Sequence, residues 1–114
     1  MKRSISNADL FADPTENPLH LVPSDLRHLI PGFLARREKE VLDLRRYLAG
    51  EDYPAIREVG HRLKGTGAGY GFPLITRLGK ELEMAAVLRD DTLLTRCIDE
   101  LAIVTANLKG FLDS

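Results

Sequence analysis

Apolar residues recur at helical spacing through four successive stretches of the chain. Over residues 31–49, Phe33, Leu34, Val41, Leu44 and Leu48 share one face, while Arg36, Arg37, Glu38, Lys39, Arg45 and Arg46 cover the rest. Gly50 predicts the stop of that helix. Asp52 reads as the cap of the next one, with Pro54 tolerated in its first turn. Tyr53, Ile56, Val59, Leu63 and Tyr70 form its stripe, and it fades at Gly69-Tyr70-Gly71. Phe72-Pro73 opens a third helix with Leu74, Ile75, Leu78, Leu82 and Ala85 inward, ending near Arg89. Asp90 or Asp91 caps the fourth, which runs from Thr92 to about Leu112 with Leu94, Ile98, Leu101, Val104, Leu108 and Phe111 inward. No stretch shows strand-like alternation, an internal repeat or low complexity.

Residues 1–20 are polar, broken by Pro14 and Pro18, and carry no sustained period, so they read as a tail before a domain of residues 21–114. Ser24-Asp25 predicts the cap of a short helix reaching about Ile30, after which Pro31-Gly32 either kinks that helix or ends it and starts another. Four amphipathic helices joined by short connections make their neighbours antiparallel. The expected fold is all-α: an antiparallel up-down four-helix bundle with a short N-terminal capping helix.

Composition narrows the function classes. The length of 114 residues suits one domain with a real core. A formal net charge of -1 argues against a general nucleic-acid binder. No apolar run approaches the ~20 residues that span a bilayer, and the N-terminus lacks the apolar core of a secretory signal. The single cysteine, Cys97, falls near the buried stripe of the last helix and reads as a core thiol in a reducing compartment. A cytoplasmic domain, monomeric and with neither membrane nor nucleic acid as partner, is the expectation.

The second helix carries far more glycine than a helix tolerates without reason. Each interior glycine destabilises a helix by about 0.5–1 kcal/mol relative to alanine, and this helix holds Gly60, Gly65, Gly67 and Gly69. Gly60 and Gly67 fall on or beside the apolar stripe, where a missing side chain lets a neighbouring helix approach. Gly69 belongs with the fraying end. Gly65 faces solvent one turn from His61, which itself points roughly 150° away from the stripe. An accessible imidazole results. Lys64 at i+3 adds a positive charge on the adjacent row, and Arg57 and Arg62 add more, partly offset by Glu58. A group that becomes anionic at His61 is favoured there.

The segment His61-Arg62-Leu63-Lys64-Gly65-Thr66-Gly67-Ala68-Gly69-Tyr70-Gly71-Phe72 resembles the signature of histidine-containing phosphotransfer (HPt) domains. In that family an H-x-x-K-G core sits mid-helix in a four-helix bundle. A glycine follows about ten residues later, here Gly71, and a Leu-Glu pair stands in the next helix, here Leu82-Glu83. The resemblance spans about residues 21–112. It implies that His61 accepts a phosphoryl group from a receiver-domain phospho-aspartate or from a hybrid sensor histidine kinase and passes it to another response regulator. Lys64 would be the phosphate's electrostatic partner, and Gly65 would leave steric access for the receiver. The resemblance also implies a carrier without kinase or hydrolase activity and without a cofactor of its own, the Mg2+ ion sitting on the partner receiver.

Nothing near His61 in sequence reads as a base or an oxyanion hole, and Glu81, Glu83, Asp90 and Asp91 read as helix-surface and capping carboxylates. One rival is a bundle that binds a receiver without phosphoryl transfer, for which His61 itself would be dispensable. Another is a metal or hydrolytic site built from His20, His28 and His61, whose spacing matches no metal motif. A kinase fragment is the third, though no nucleotide-binding glycine loop is present.

Overall fold

The computed structural model describes residues 22–70 and 72–113, so the tail of residues 1–20, His20 and Gly71 lie outside the described residues. Among these, the structure is all-helical, with four α-helices and no strand: α1 (Ile30–Ala49), α2 (Tyr53–Tyr70), α3 (Pro73–Leu88) and α4 (Asp91–Asp113).

Ahead of α1, Ser24–Leu29 forms a 3-10 helix. Ser24 and Asp25 do not cap it through their side chains; Pro23 precedes it, and the Leu26 N–H donates to the Pro23 carbonyl at 2.9 Å. A single backbone bond closes the first 3-10 turn, with no side-chain acceptor taking part. It runs straight into α1. Pro31 occupies the first turn of that helix, where a missing N–H is harmless, so the short helix ends and another starts at this point.

The other boundaries follow local chemistry. The Asp52 carboxylate accepts from the Ala55 N–H at 3.3 Å, and the Asp90 carboxylate from the Leu93 N–H at 3.0 Å, which makes Asp90 the cap of α4. Phe72 precedes α3 and Pro73 opens it. Gly50 ends α1 with an ordinary φ of -91°; the left-handed residue in that connection is Glu51, at φ 55°. Arg89 closes α3 in the same conformation, at φ 53°.

The core is built from the stripes. Leu44, Ile56, Ile75, Leu78, Leu82, Leu94, Ile98 and Leu101 are fully buried. Phe33 packs against Tyr70 and Phe72 at one end, with ring centroids 4.5 and 5.6 Å apart. Cys97 is buried, its thiol 3.6 Å from a Glu81 carboxylate oxygen, and burial together with that carboxylate pushes it up to about 12. It is a core thiol with no nucleophilic character at neutral pH.

Arg37 departs from the surface position its α1 pattern assigns. It is buried, its guanidinium lies 4.7 Å from the centre of the Phe33 ring, and its Nε sits 2.7 Å from Glu40. The side chain lays its stem and flat head on an aromatic face while a carboxylate one turn away neutralises it, a combination open to arginine and to few other polar residues. Burial lowers the Arg37 pKa and raises that of Glu40.

α2 and α3 approach most closely. A Cβ on Gly60 would lie 2.8 Å from the Gly79 carbonyl and from the Glu83 nitrogen, and one on Gly67 would lie 2.7 Å from the Thr76 nitrogen. On the facing helix, a Cβ on Gly79 would lie 2.5 Å from the Lys64 nitrogen. Glycine at these positions lets the two backbones touch. That contact positions the site.

Candidate functional site

His61 sits in the middle of α2, and its side chain is 67% exposed. Because Gly60 lets α3 press against this turn, the α3 residue opposite reaches the imidazole directly. Glu83 Oε2 lies 3.1 Å from His61 Nδ1, and Glu83 Oε1 accepts from Lys64 Nζ, also at 3.1 Å. One carboxylate therefore bridges both polar groups of the H-x-x-K motif. The Lys64 bond, followed by the His61 bond, holds the Glu83 carboxyl below the usual carboxylate range despite partial burial, so it is ionised at neutral pH.

An ionised carboxylate can only accept. The neutral imidazole thus presents its proton from Nδ1 to Glu83 and keeps its lone pair on Nε2, on the far side of the ring. Gly65, one turn on, has open space where a Cβ would be. A shallow groove lined by Pro54, Arg57, Glu58, His61 and Glu83 runs beside the ring.

One expectation about this site changes. Glu83 is more than a helix-surface carboxylate: it accepts from His61 and so fixes its tautomer. Lys64 is only one-third exposed and is ion-paired with Glu83. Arg62, next to His61 in sequence, is exposed and does not line the groove, and its charge bears on Glu40 and Arg37 of α1. His20, one member of the rival metal site, lies outside the described residues. His28 is exposed on the 3-10 helix, and no group of three or more His, Cys, Asp or Glu residues suited to a metal ion occurs among the described residues. No described helix is long and apolar enough to cross a membrane.

Beyond the groove, Val87 follows Glu83 by one turn on the same face of α3, with Met84 and Leu88 beside it. The three side chains are 62–65% exposed. Large apolar groups clustered in water mark a contact surface more often than scattered single ones do.

The sequence has a counterpart among known families: the family model described as Hpt domain matches residues 28–109. The chain belongs to the Hpt domain family. Hpt domains are phosphotransfer modules of two-component signalling, phosphocarriers rather than enzymes, and they interact with receiver domains and kinases. No curated protein and no solved structure matches the chain.

Proposed function

We propose that this Hpt domain carries a phosphoryl group on Nε2 of His61. It takes the group from a receiver-domain phospho-aspartate, or from a hybrid sensor histidine kinase, and passes it to another response regulator. The supporting observation is the Nδ1 contact with Glu83, which leaves an exposed nucleophilic Nε2 on a helix face kept open by Gly65. In the forward step the Nε2 lone pair attacks phosphorus, the N–P bond forms, and the P–O bond to the aspartate breaks with its electron pair leaving on the carboxylate. The proton stays on Nδ1, and the positive charge of the resulting phosphoimidazolium faces Glu83. Reversal returns the phosphoryl group to an aspartate.

Phosphoryl transfer is mostly positioning and charge neutralisation. The receiver brings the Mg2+ ion and the acidic pocket; this chain brings the nucleophile and, in Lys64, a cation near it. The reading takes residues 21–114 as an antiparallel up-down four-helix bundle, capped at one end by the Ser24–Leu29 helix, with residues 1–20 a separate tail. It takes the carrier as a cytoplasmic monomer. Met84, Val87 and Leu88 supply the apolar part of the receiver's docking surface, since a partner whose phospho-aspartate reaches Nε2 must also cover the adjoining turns of α3.

The test is intact mass after mixing with a pre-phosphorylated receiver. An added phosphoryl mass that is lost in acid, maps to His61 and is absent from His61→Gln supports the reading. Labelling of His61→Gln at the wild-type rate would remove the site assignment. Binding without any added mass would leave a receiver-binding module.

A further inference from the structure

We infer that Arg57 is a phosphoryl-binding residue, its guanidinium taking the phosphoryl oxygens of phosphorylated His61 on the N-terminal side of the ring. The inference rests on the reading of His61 as the phosphoacceptor and adds a residue that the H-x-x-K-G motif does not contain.

Three observations carry it. Lys64, the motif's own cation, is already ion-paired with Glu83 at 3.1 Å, so part of its charge is neutralised before any phosphate arrives. Arg57 lines the same groove as His61 and Glu83, is exposed, and has no ion-pair or hydrogen-bond partner among the described residues. It also stands at i-4 from His61. Helical side chains lean towards the N-terminus, so a group added to the His61 ring lies over the turn that holds Arg57 and Glu58.

The alternatives are placed less well. Arg62 does not line the groove, and its charge bears on Glu40 and Arg37 of α1. The turn after His61 offers the bare Gly65. Lys80, one turn before Glu83 on α3, does not line the groove. The Glu58 carboxylate in the groove repels a phosphoryl dianion, which makes an adjacent cation more necessary. A guanidinium, with its planar fork of donors, grips phosphoryl oxygens at two points, as an ammonium cannot.

The effect has a sign. Loss of the phosphoryl group passes through a loose transition state in which the peripheral oxygens carry less charge than in the bound dianion. A cation on those oxygens stabilises the phosphorylated protein more than that transition state. Removing Arg57 therefore shortens the lifetime of phospho-His61.

The full chain is phosphorylated with phosphoramidate in the absence of any receiver; Nε2 attacks phosphorus and ammonia leaves with the pair of the broken N–P bond. Mass spectrometry locates the phosphoryl group. Its half-life and the 31P titration midpoint of its second ionisation are then measured for wild type, Arg57→Ala, Arg57→Lys and Arg62→Ala. The expected result for Arg57→Ala is a half-life about threefold shorter and a midpoint raised by about half a unit, the scale of one exposed ion pair. Arg57→Lys recovers most of both, and Arg62→Ala matches wild type. If wild type takes no phosphoryl group at His61, the phosphoacceptor reading falls and the inference with it. If His61 is labelled but Arg57→Ala matches wild type in both readouts, the inference alone is overturned. Equal shifts in Arg57→Ala and Arg62→Ala would also overturn it, since they would report the general field rather than a contact.

Discussion

Glu83 holds two donors at once, and the two bonds act differently. The bond to His61 selects the tautomer with its lone pair on Nε2; the bond to Lys64 keeps that carboxylate ionised. Glu83→Gln retains an acceptor for Nδ1 but loses the charge that stabilises the phosphoimidazolium, so phosphoryl acceptance should slow about tenfold while the fold persists. An unchanged rate in a rapid-mixing assay would strip Glu83 of that role. A linked effect appears in stability. Because folding lowers the Glu83 pKa from its ordinary 4.5, the unfolded chain binds the proton more tightly. Its contribution is fully present above that pH and is lost as pH falls through the lower folded value. The stability difference between wild type and Glu83→Gln in urea melts should therefore shrink below about pH 4.5; a difference that grew on acidification would reverse the assignment. Lys64→Ala should slow transfer without unfolding the domain. His61, Lys64 and Gly65 were legible in sequence because they share one helix face. The bridge from Glu83 was not, since it lies 22 residues on and depends on how closely two helices meet. The available signal was the Leu82-Glu83 pair of the family resemblance, which marks the position without saying what it touches; the close approach at Gly60 and Gly79 is what brings it to His61.

At the scale of elements, glycine has two opposite roles around this site. Gly60 and Gly79 are where α2 and α3 touch backbone to backbone, whereas Gly65 touches nothing. Alanine at 79 places a methyl group on the Lys64 backbone, and neither helix can yield there without moving Glu83 away from His61. Overpacking of this kind costs about 1–3 kcal/mol, more than the ~1 kcal/mol gained in helix propensity. Gly79→Ala should lower the urea midpoint and depress acceptance by small phosphodonors as well as by receivers. Gly65→Gln should do the reverse for stability, raising it by up to about 0.7 kcal/mol, while blocking transfer from a receiver and sparing labelling by phosphoramidate. Full receiver activity in Gly65→Gln would defeat the access argument. The helices themselves were readable from apolar spacing, since each buries one stripe and α3 buries all five of its expected residues. Arg37 was not. A period assigns an arginine to water, but nothing in the spacing tells that Phe33 and Glu40, one turn to either side, will receive it.

Across the whole molecule, the proposed interface draws on two helices, and its apolar part comes from one of them. α2 offers His61, Arg57 and the open Gly65 turn, while α3 contributes Glu83 and the exposed Met84, Val87 and Leu88. On the proposed reading the receiver presents an acidic pocket, so its alignment over His61 would not come from charge alone; an apolar contact beside the ring would supply a fixed register. Val87 is the side chain best placed for it, on the same face of α3 as Glu83 and exposed at 63%. Its exposure also makes it replaceable without loss of core packing. Val87→Glu should leave the thermal midpoint within a degree or two and leave phosphoramidate labelling of His61 unchanged. Receiver affinity measured by calorimetry should fall roughly tenfold or more, the effect of losing one central apolar contact and setting a carboxylate against an acidic pocket. Separating the two readouts matters, because a fall in both would mean that α3 had shifted and taken Glu83 with it. Unchanged affinity with normal labelling would exclude this patch from the docking surface and place the receiver's apolar contact on α2 or beyond the groove.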